Sequence, residues 1–170
     1  MTDGPLHRLL IVATVPPEGL QVEIVADARE RESLARANDL PSVERFVARL
    51  EARHAGRDGL SVRGRLEAEA TRVCVVTLEP FVEEIREEVE LRFAPEVEAA
   101  GHDDAEGDDP PDPIVGGQVD LGAAVAEFFT LGLDPYPRKP GAAFDPSALR
   151  DESGSPFAAL KALKGGKDEA

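Results

Sequence analysis

Residues Leu60–Phe93 read LSVRGRLEAEATRVCVVTLEPFVEEIREEVELRF, and this stretch decides the fold. Apolar or small residues alternate with polar ones over Leu60–Ala70 and again over Ile85–Phe93. A period of two is typical of strands that bury one face and expose the other. Between these halves, Val73–Phe81 is apolar almost throughout. We therefore predict an antiparallel sheet whose middle carries this apolar run.

The N-terminal segment predicts two short strands and a helix. Leu9–Ala13 and Leu20–Ala26 are rich in leucine, isoleucine and valine, which favour strands. Asp27 and Glu30 then have the spacing of a capping box, in which the two side chains satisfy free backbone N–H groups of the first turn. A short helix follows, and we expect it to end near Ala37.

A second helix is predicted from Ser42 onward, and Ala55–Gly59 stops it. Ser42 is a good N-cap, and four apolar residues recur at helical spacing: Val43, Phe46, Val47 and Leu50. Arginines step along the same segment at i, i+4 spacing: Arg45, Arg49, Arg53 and Arg57. We interpret them as a salt-bridged surface, and a basic ridge for nucleic acid is the alternative.

The C-terminal half alternates between segments that predict order and segments that do not. Residues 96–113 are acidic and rich in Gly and Pro, which predicts a disordered linker. Asp120 is a good N-cap for a helix over Leu121–Leu131. Asp134–Pro140 continues as an extended, proline-stiffened strip that we expect to lie over a surface. Ser155–Lys164 predicts a short capped helix in the tail.

These elements predict an α+β fold: an antiparallel sheet, two helices in the N-terminal half and one helix after the acidic linker. Residues 1–95 form the core of the domain and residues 96–113 the linker. Residues 114–140 complete the same domain, and residues 141–170 form a flexible tail. The strand order, and whether the sheet closes into a barrel, stay open at this point.

Composition excludes several classes of protein. The chain has 170 residues, enough for one domain with a core, and a single cysteine, which cannot form an intramolecular disulfide. No apolar stretch approaches the roughly 18 residues of a membrane-spanning helix. The N-terminus lacks the apolar core of a signal peptide. We expect a cytoplasmic protein without a membrane partner.

The net charge of −15 is concentrated in the middle of the chain. Residues 79–134 hold 17 acidic residues against two arginines, whereas the segments before and after are close to neutral. Acidic loops that keep a protein in solution are one interpretation. An acidic face for a basic partner is the other.

No catalytic or metal-binding pattern stands out, and we expect no cofactor and no metal. His7, His54 and His102 have no cysteine or carboxylate at ligand spacing. Cys74 lies among valines, where a thiol is normally a small buried hydrophobe. We predict a protein that is not an enzyme. An enzyme acting on a small molecule, the alternative, would need a pocket that converges on Cys74, Glu79 and a histidine.

Three segments together resemble the YceD family, which is named for the accumulation of large-subunit ribosomal RNA. They are Cys74–Phe81, Val119–Arg138 and Ser155–Lys161, in the family's order along nearly the whole chain. The resemblance is closest to the alphaproteobacterial branch. Many members carry a Cys-x-x-Cys pair where this chain has Cys74 and Thr77. The resemblance therefore transfers no zinc or redox site to this chain.

The resemblance implies a non-enzymatic bacterial factor that supports 23S rRNA accumulation and biogenesis of the large ribosomal subunit. In the family the gene commonly lies beside one for a small protein of that subunit. Because the acidic charge repels an RNA backbone, we expect a basic protein as partner, with a large-subunit ribosomal protein as the candidate. The predicted partner-binding residues are Glu79, Pro80, Asp120, Glu127, Asp134, Tyr136, Pro137 and Arg138. Direct rRNA contact through the arginines of residues 29–72 and the lysine-containing tail is the alternative.

Overall fold

The computed structural model describes residues 4–56, 58–95 and 110–143. The tail helix predicted over Ser155–Lys164 and most of the predicted linker lie outside these residues. The elements in chain order are β1 (Leu9–Ile11), a 3₁₀ turn (Val12–Thr14), β2 (Leu20–Val25), α1 (Ala28–Ala37), β3 (Ser42–Ala55), β4 (Gly59–Val73), β5 (Pro80–Pro95), β6 (Asp112–Ile114), β7 (Gln118–Asp120) and α2 (Leu121–Gly132).

Five strands form one sheet in the order β2-β3-β4-β5-β6. Neighbouring strands are antiparallel, except that β6 pairs in parallel with the last three residues of β5, Phe93–Pro95. β1 and β7 form a separate two-stranded antiparallel sheet. The α+β class is confirmed, and within the described residues the larger sheet is open, with β2 and β6 at its edges.

Leu60–Phe93 forms the long hairpin of β4 and β5 that its alternation predicts. The register runs from Leu60 opposite Phe93 to Val73 opposite Pro80 without a shift. The placement of the apolar run in the middle of the sheet was wrong. β4 ends at Val73 and β5 begins at Pro80, so the run forms the connection between the two strands. In this connection Cys74 is buried, whereas Val75 and Leu78 are exposed to solvent.

The helix predicted between Ser42 and Ala55 was also wrong, because β3 occupies this segment and pairs with β2 and β4. A register shift between Val43 and Arg45 marks a bulge. Beyond the bulge, the buried residues that alternate along the strand are Phe46, Ala48, Leu50 and Ala52. Two of these four residues are alanines, which give only a weak hydrophobic signal in the sequence. The two larger residues, Phe46 and Leu50, are four positions apart, a spacing that also fits a helix.

Two helices cover the face of the sheet that carries the core, which we call the inner face. The capping box of α1 is confirmed: Asp27 Oδ1 accepts from the Glu30 backbone N–H at 2.9 Å, and Glu30 Oε2 accepts from the Asp27 N–H at 2.8 Å. The predicted cap of α2 is confirmed too, since Asp120 accepts from the Ala123 N–H. Phe129 of α2 meets Phe46 of β3 edge to face, with ring centroids 5.6 Å apart.

The opposite face of the sheet, the outer face, carries charge. Three arginines of β3 form ion pairs on this face. Arg45 contacts Glu67 of β4 at 3.1 Å, and Arg49 contacts Glu23 of β2 at 3.0 Å. Arg53 contacts Glu51 of its own strand at 2.7 Å. The prediction that these arginines form a salt-bridged surface is confirmed, on a strand where a helix was expected. Arg57 lies outside the described residues. In the described part of the chain, no helix has the length and apolar character needed to cross a membrane.

Candidate partner-binding site

The turn between β4 and β5 holds a large apolar side chain out in solvent. The Leu78 N–H donates to the Cys74 carbonyl and the Cys74 N–H donates to the Glu79 carbonyl, both at 2.9 Å. Leu78 has a φ of +59°, a left-handed conformation that is unusual for a bulky residue. Its side chain is 76% exposed. Strain at a large apolar residue that is mostly exposed points to a function outside the folding of this chain.

The proline-rich strip, residues 134–140, lies against this turn. The Val75 N–H donates to the Pro137 carbonyl at 2.9 Å, and Pro137 is buried. Lys139 Nζ lies 3.0 Å from Glu79 Oε2. We use the name "hairpin end" for residues 73–82 together with the strip.

Arg72 fastens the strip to the inner face of the hairpin. Arg72 is 7% exposed, and among the described residues it is the one charged residue that is buried. Its Nη1 donates to Glu83 Oε2 at 2.9 Å and its Nη2 donates to the Asp134 carbonyl. A buried charge needs such partners because it has lost its hydration. One guanidinium therefore joins β4, β5 and the strip.

Cys74 is buried beneath the strip, in the turn and not within a strand as the sequence predicted. The predicted burial of its side chain is confirmed. The Thr77 hydroxyl is the largest influence on the thiol and lowers its pKa to about 7, with help from the backbone N–H groups of Lys139, Thr77 and Val76 and against the effect of burial. The turn therefore stabilises a thiolate, while the strip restricts access to it.

The exposed surface of the hairpin end is both apolar and acidic. Tyr136 is 70% exposed, although tyrosine usually packs its ring. The other exposed apolar side chains of the hairpin end are Val73, Val75, Leu78 and Val82. Glu79 and Glu84 flank them in the sequence and are also exposed. Exposed aromatic and aliphatic side chains beside charges are typical of a surface that binds another protein.

The structure brings six of the eight predicted site residues together. Contacts of the strip with the turn place them at the hairpin end: Glu79, Pro80, Asp134, Tyr136, Pro137 and Arg138. The contacts include the backbone bond from Val75 to Pro137 and the ion pair of Lys139 with Glu79. The remaining two lie away from this group, Asp120 at the N-cap of α2 and Glu127 within α2. Asp120 precedes a helix of 12 residues, about 18 Å long, that separates it from the strip.

Asp120 has a structural role in the fold. Besides capping α2, its carboxylate lies 2.6 Å from His7 Nδ1 and accepts from the Arg8 N–H at 2.9 Å. Burial raises the pKa of Asp120, but the hydrogen bonds from His7, Arg8 and Ala123 outweigh it and lower the pKa overall. These bonds tie the N-terminal segment to the start of α2.

Glu127 lies on the exposed side of α2 beside an open depression. The depression, of about 390 Å³, lies between the N-terminal segment, the end of α1 and α2, and its other lining residues include Pro5, Asn38, Ala126 and Leu131. Among the described residues of that lining, Glu127 is the one carboxylate. It therefore belongs to a different surface from the hairpin end.

The structure neutralises part of the acidic charge of residues 79–134. Among the described residues, five of these carboxylates have a basic partner: Glu79 with Lys139, Glu83 with Arg72, Glu84 with Arg86, Glu90 with Arg63 and Asp120 with His7. β5 keeps a surplus, since Phe81–Arg92 holds five glutamates and two arginines. Within the described residues, no group of three or more acidic, histidine or cysteine side chains could hold a metal ion.

Sequence reasoning missed Arg72 and Leu78. Arg72 continues the buried alternation of Ala68 and Ala70, so the period of two already placed it on the inner face. An arginine at a core position needs a buried acceptor, and this signal was available. Leu78 gives no such signal, because its left-handed backbone follows from the closure of this particular turn.

Comparison with protein-family models matches residues 62–164 to the family described as "Large ribosomal RNA subunit accumulation protein YceD". The match covers more than half of the chain and includes most of β4 and all of β5, α2 and the strip. The search of curated proteins and the search of solved structures give no match.

Proposed function

The chain belongs to the YceD family, and from this premise we propose that it supports large-subunit rRNA accumulation by binding a basic ribosomal protein of that subunit. The family description points to a role in the accumulation of large-subunit rRNA. The binding partner and the surface that binds it are our proposal. In this proposal the chain acts by association and not by catalysis.

One observation carries the proposal: segments far apart in the sequence meet at the hairpin end. The turn that contains Cys74 and the strip that contains Pro137 are joined by the bond from the Val75 N–H to the Pro137 carbonyl. Both segments lie within the family match. Two distant segments that fold into one exposed, partly apolar surface favour a shared binding function over two separate structural roles.

The chemistry of this surface favours a protein partner with an apolar contact and basic surroundings. Leu78 and Tyr136 are exposed and can insert between side chains of a partner, as central anchors of interfaces do. Glu79 and Glu84, which are exposed and close to these residues in the sequence, add negative charge. In the sequence, residues 96–109 hold seven acidic residues and no lysine or arginine. Proteins that bind RNA are rich in lysine and arginine, so a ribosomal protein not yet on its RNA fits this surface.

Binding can be measured with the purified full-length chain and individually purified large-subunit ribosomal proteins. We expect a complex with at least one of them at low salt, and weaker binding as salt is raised. Leu78→Ser and Tyr136→Ala should each weaken the complex about tenfold or more, as loss of an interface anchor does. Leu9→Ser is the matched control, because Leu9 is also exposed but lies on β1. Equal loss in the control would contradict a binding site at the hairpin end.

The role in cells can be tested in bacteria that lack their own copy of the gene. Restoring the wild-type chain should restore the ratio of large- to small-subunit rRNA. We expect Tyr136→Ala to restore it poorly and Leu9→Ser to restore it fully. A normal rRNA ratio in the deletion strain would refute the proposed role itself, whatever the binding assay shows.

Direct rRNA binding is the competing outcome. Gel shifts with large-subunit rRNA fragments should show no complex at the protein concentrations that suffice for the protein partner. If a complex forms and disappears when Arg45, Arg49 and Arg53 are changed to Glu, the arginines of the outer face bind RNA and the protein-partner proposal fails. Each of these arginines already contacts a carboxylate within the fold, which lowers the positive potential available to RNA.

A further inference from the structure

The outward edge of β5 is open along most of its length. β5 has 16 residues, and β6 pairs only with Phe93–Pro95. Among the described residues, no other strand pairs with this edge, so Val82–Glu90 has no neighbouring strand on that side. The other exposed edge belongs to β2, which has only six residues. Long open edges are uncommon because they accept strands from other chains.

The register identifies the backbone groups that point to this open edge. The Cys74 N–H donates to the Glu79 carbonyl, so this pair is hydrogen-bonded. In an antiparallel ladder such pairs alternate, and the odd-numbered residues of β5 therefore bond to β4. The even-numbered residues direct their N–H and C=O outward: Val82, Glu84, Arg86, Glu88 and Glu90. The parallel pairing of β6 agrees with this, since it is centred on Ala94.

The charge of this edge selects the sequence that can join it. Phe81–Arg92 carries five glutamates and two arginines. Side chains of directly opposed residues in a sheet interact, and like charges there are destabilising. A second copy of β5 would place glutamates near glutamates. A segment rich in lysine or arginine would instead find opposite charges along the strand.

We propose that a lysine- or arginine-rich extended segment of the partner adds as a sixth strand to the outward edge of β5, opposite Val82–Glu90. The main chain of β5 provides the affinity and its glutamates provide the selectivity, as in other cases of strand addition. The exposed side chains of the hairpin end, Leu78 and Tyr136 among them, lie next to the start of this edge. The inference rests on the proposed function and names how its partner binds.

Proline substitution tests the edge directly. Glu88→Pro removes an N–H that points outward and leaves the bonds to β4 in place, which edge strands tolerate. We expect about tenfold weaker binding of the large-subunit protein that the wild-type chain binds, because a donor is lost and the ring occupies the edge. Glu88→Gln removes only the charge and should weaken binding about twofold.

Glu23→Pro on β2 is the matched control. The Ala26 N–H donates to the Phe46 carbonyl, so by the same alternation the Glu23 N–H also points away from its neighbouring strand. The control thus changes the same residue type at the equivalent position of the other edge. Glu23→Pro should bind as the wild type does. Equal weakening by the two prolines would overturn the proposal, as would wild-type binding by Glu88→Pro.

Hydrogen exchange of the wild-type chain gives a second measurement that does not depend on any variant folding. On addition of the bound large-subunit protein, the amides of Val82, Glu84, Arg86, Glu88 and Glu90 should exchange more slowly. Those of Gln21 and Glu23 on β2 should not change. Unchanged exchange along β5 in a formed complex would overturn strand addition and leave the proposed function intact. If no ribosomal protein binds at all, the proposed function fails first. Dimers of the chain through β5 would also overturn the proposal.

Discussion

The two faces of the β4–β5 hairpin share one backbone and contribute to the protein in different ways. On the inner face, Leu66 and Val89 are buried and touch the core. On the outer face, Arg63 and Glu90 form an ion pair at 2.7 Å, with side chains 72% and 64% exposed. Packing allows little change on the inner face, whereas solvent screens most changes on the outer face. The inner face therefore determines stability, and the outer face and its edge are free to determine association.

The largest expected effect comes from a side chain added where the inner face has none. A Cβ at Gly64 would lie 2.0 Å from the Arg49 carbonyl oxygen and 2.8 Å from the Leu50 Cα, both in the backbone of β3. Gly64→Val should therefore separate β3 from β4 and lower the free energy of unfolding by about 4 kcal/mol or more. Urea unfolding followed by circular dichroism measures this.

Arg65→Val is the control for that comparison. It puts the same side chain on the neighbouring residue, which faces the outer side of the same strand. The free energy of unfolding should change by no more than about 0.5 kcal/mol, as for other surface substitutions. Similar losses for the two variants would show that the faces do not differ as described.

The second-largest effect on stability is expected when the buried guanidinium of Arg72 is removed. Arg72→Leu leaves Glu83 and the Asp134 carbonyl without their donor and should cost about 3–5 kcal/mol. Adding Glu83→Leu should recover part of this loss, since the unpaired charge is then gone. Arg63→Leu breaks the exposed pair with Glu90 and should cost less than about 1 kcal/mol. A loss for Arg72→Leu as small as that of the control would mean that the strip is held by its other contacts.

A smaller effect depends on the ionisation of the Cys74 thiol, which lies in the turn between the two strands. The pKa of Cys74 in the folded chain is about 7, below the roughly 8.5 of an unfolded cysteine, so the thiolate favours the fold. This stabilisation is fully present above about pH 8.5 and is lost as the pH falls through 7. The stability advantage of the wild type over Cys74→Ala should therefore rise between about pH 6 and pH 9.

Thr77→Val tests the cause of that shift. The Thr77 hydroxyl is the main group that lowers the pKa of Cys74, so this variant should lose most of the rise with pH. Denaturant unfolding at the two pH values, with Cys74→Ala as the common reference, measures the difference. A rise that persists in Thr77→Val would assign the shift to the backbone N–H groups of the turn.

The contrast between faces also explains how much of the fold could be predicted. Along β4 and the second half of β5, every second residue is polar, so the alternation is clear and the strands were predicted correctly. Along β3, Val47 lies on the outer side yet is buried, and the inward Ala48 and Ala52 are weak hydrophobic signals. The pattern of Val43, Phe46 and Leu50 then fits a helix equally well. Only the pairing with β2 and β4 removes the ambiguity.

The candidate site was predicted in part, for a different reason. Glu79 and Tyr136 were named because their segments resemble those of a family. That these two segments meet at the hairpin end depends on contacts between residues far apart in the sequence. Asp120 was named in the same way, but its hydrogen bonds show a cap that joins α2 to the N-terminal segment. Local sequence identifies a capping residue, whereas it cannot identify which distant carbonyl an arginine such as Arg72 will meet.

The smallest effect is expected on the outer face, where charges are exposed. Arg49 lies 3.0 Å from Glu23 and 3.7 Å from Glu67, and its side chain is 54% exposed. Arg49→Gln should lower the free energy of unfolding by less than about 1 kcal/mol, and the loss should shrink in molar salt because salt screens exposed pairs. Urea unfolding at low and at molar salt measures both quantities. A large loss that salt does not reduce would mean that the guanidinium stem packs on the sheet, and the outer face would then share the packing constraint of the inner one.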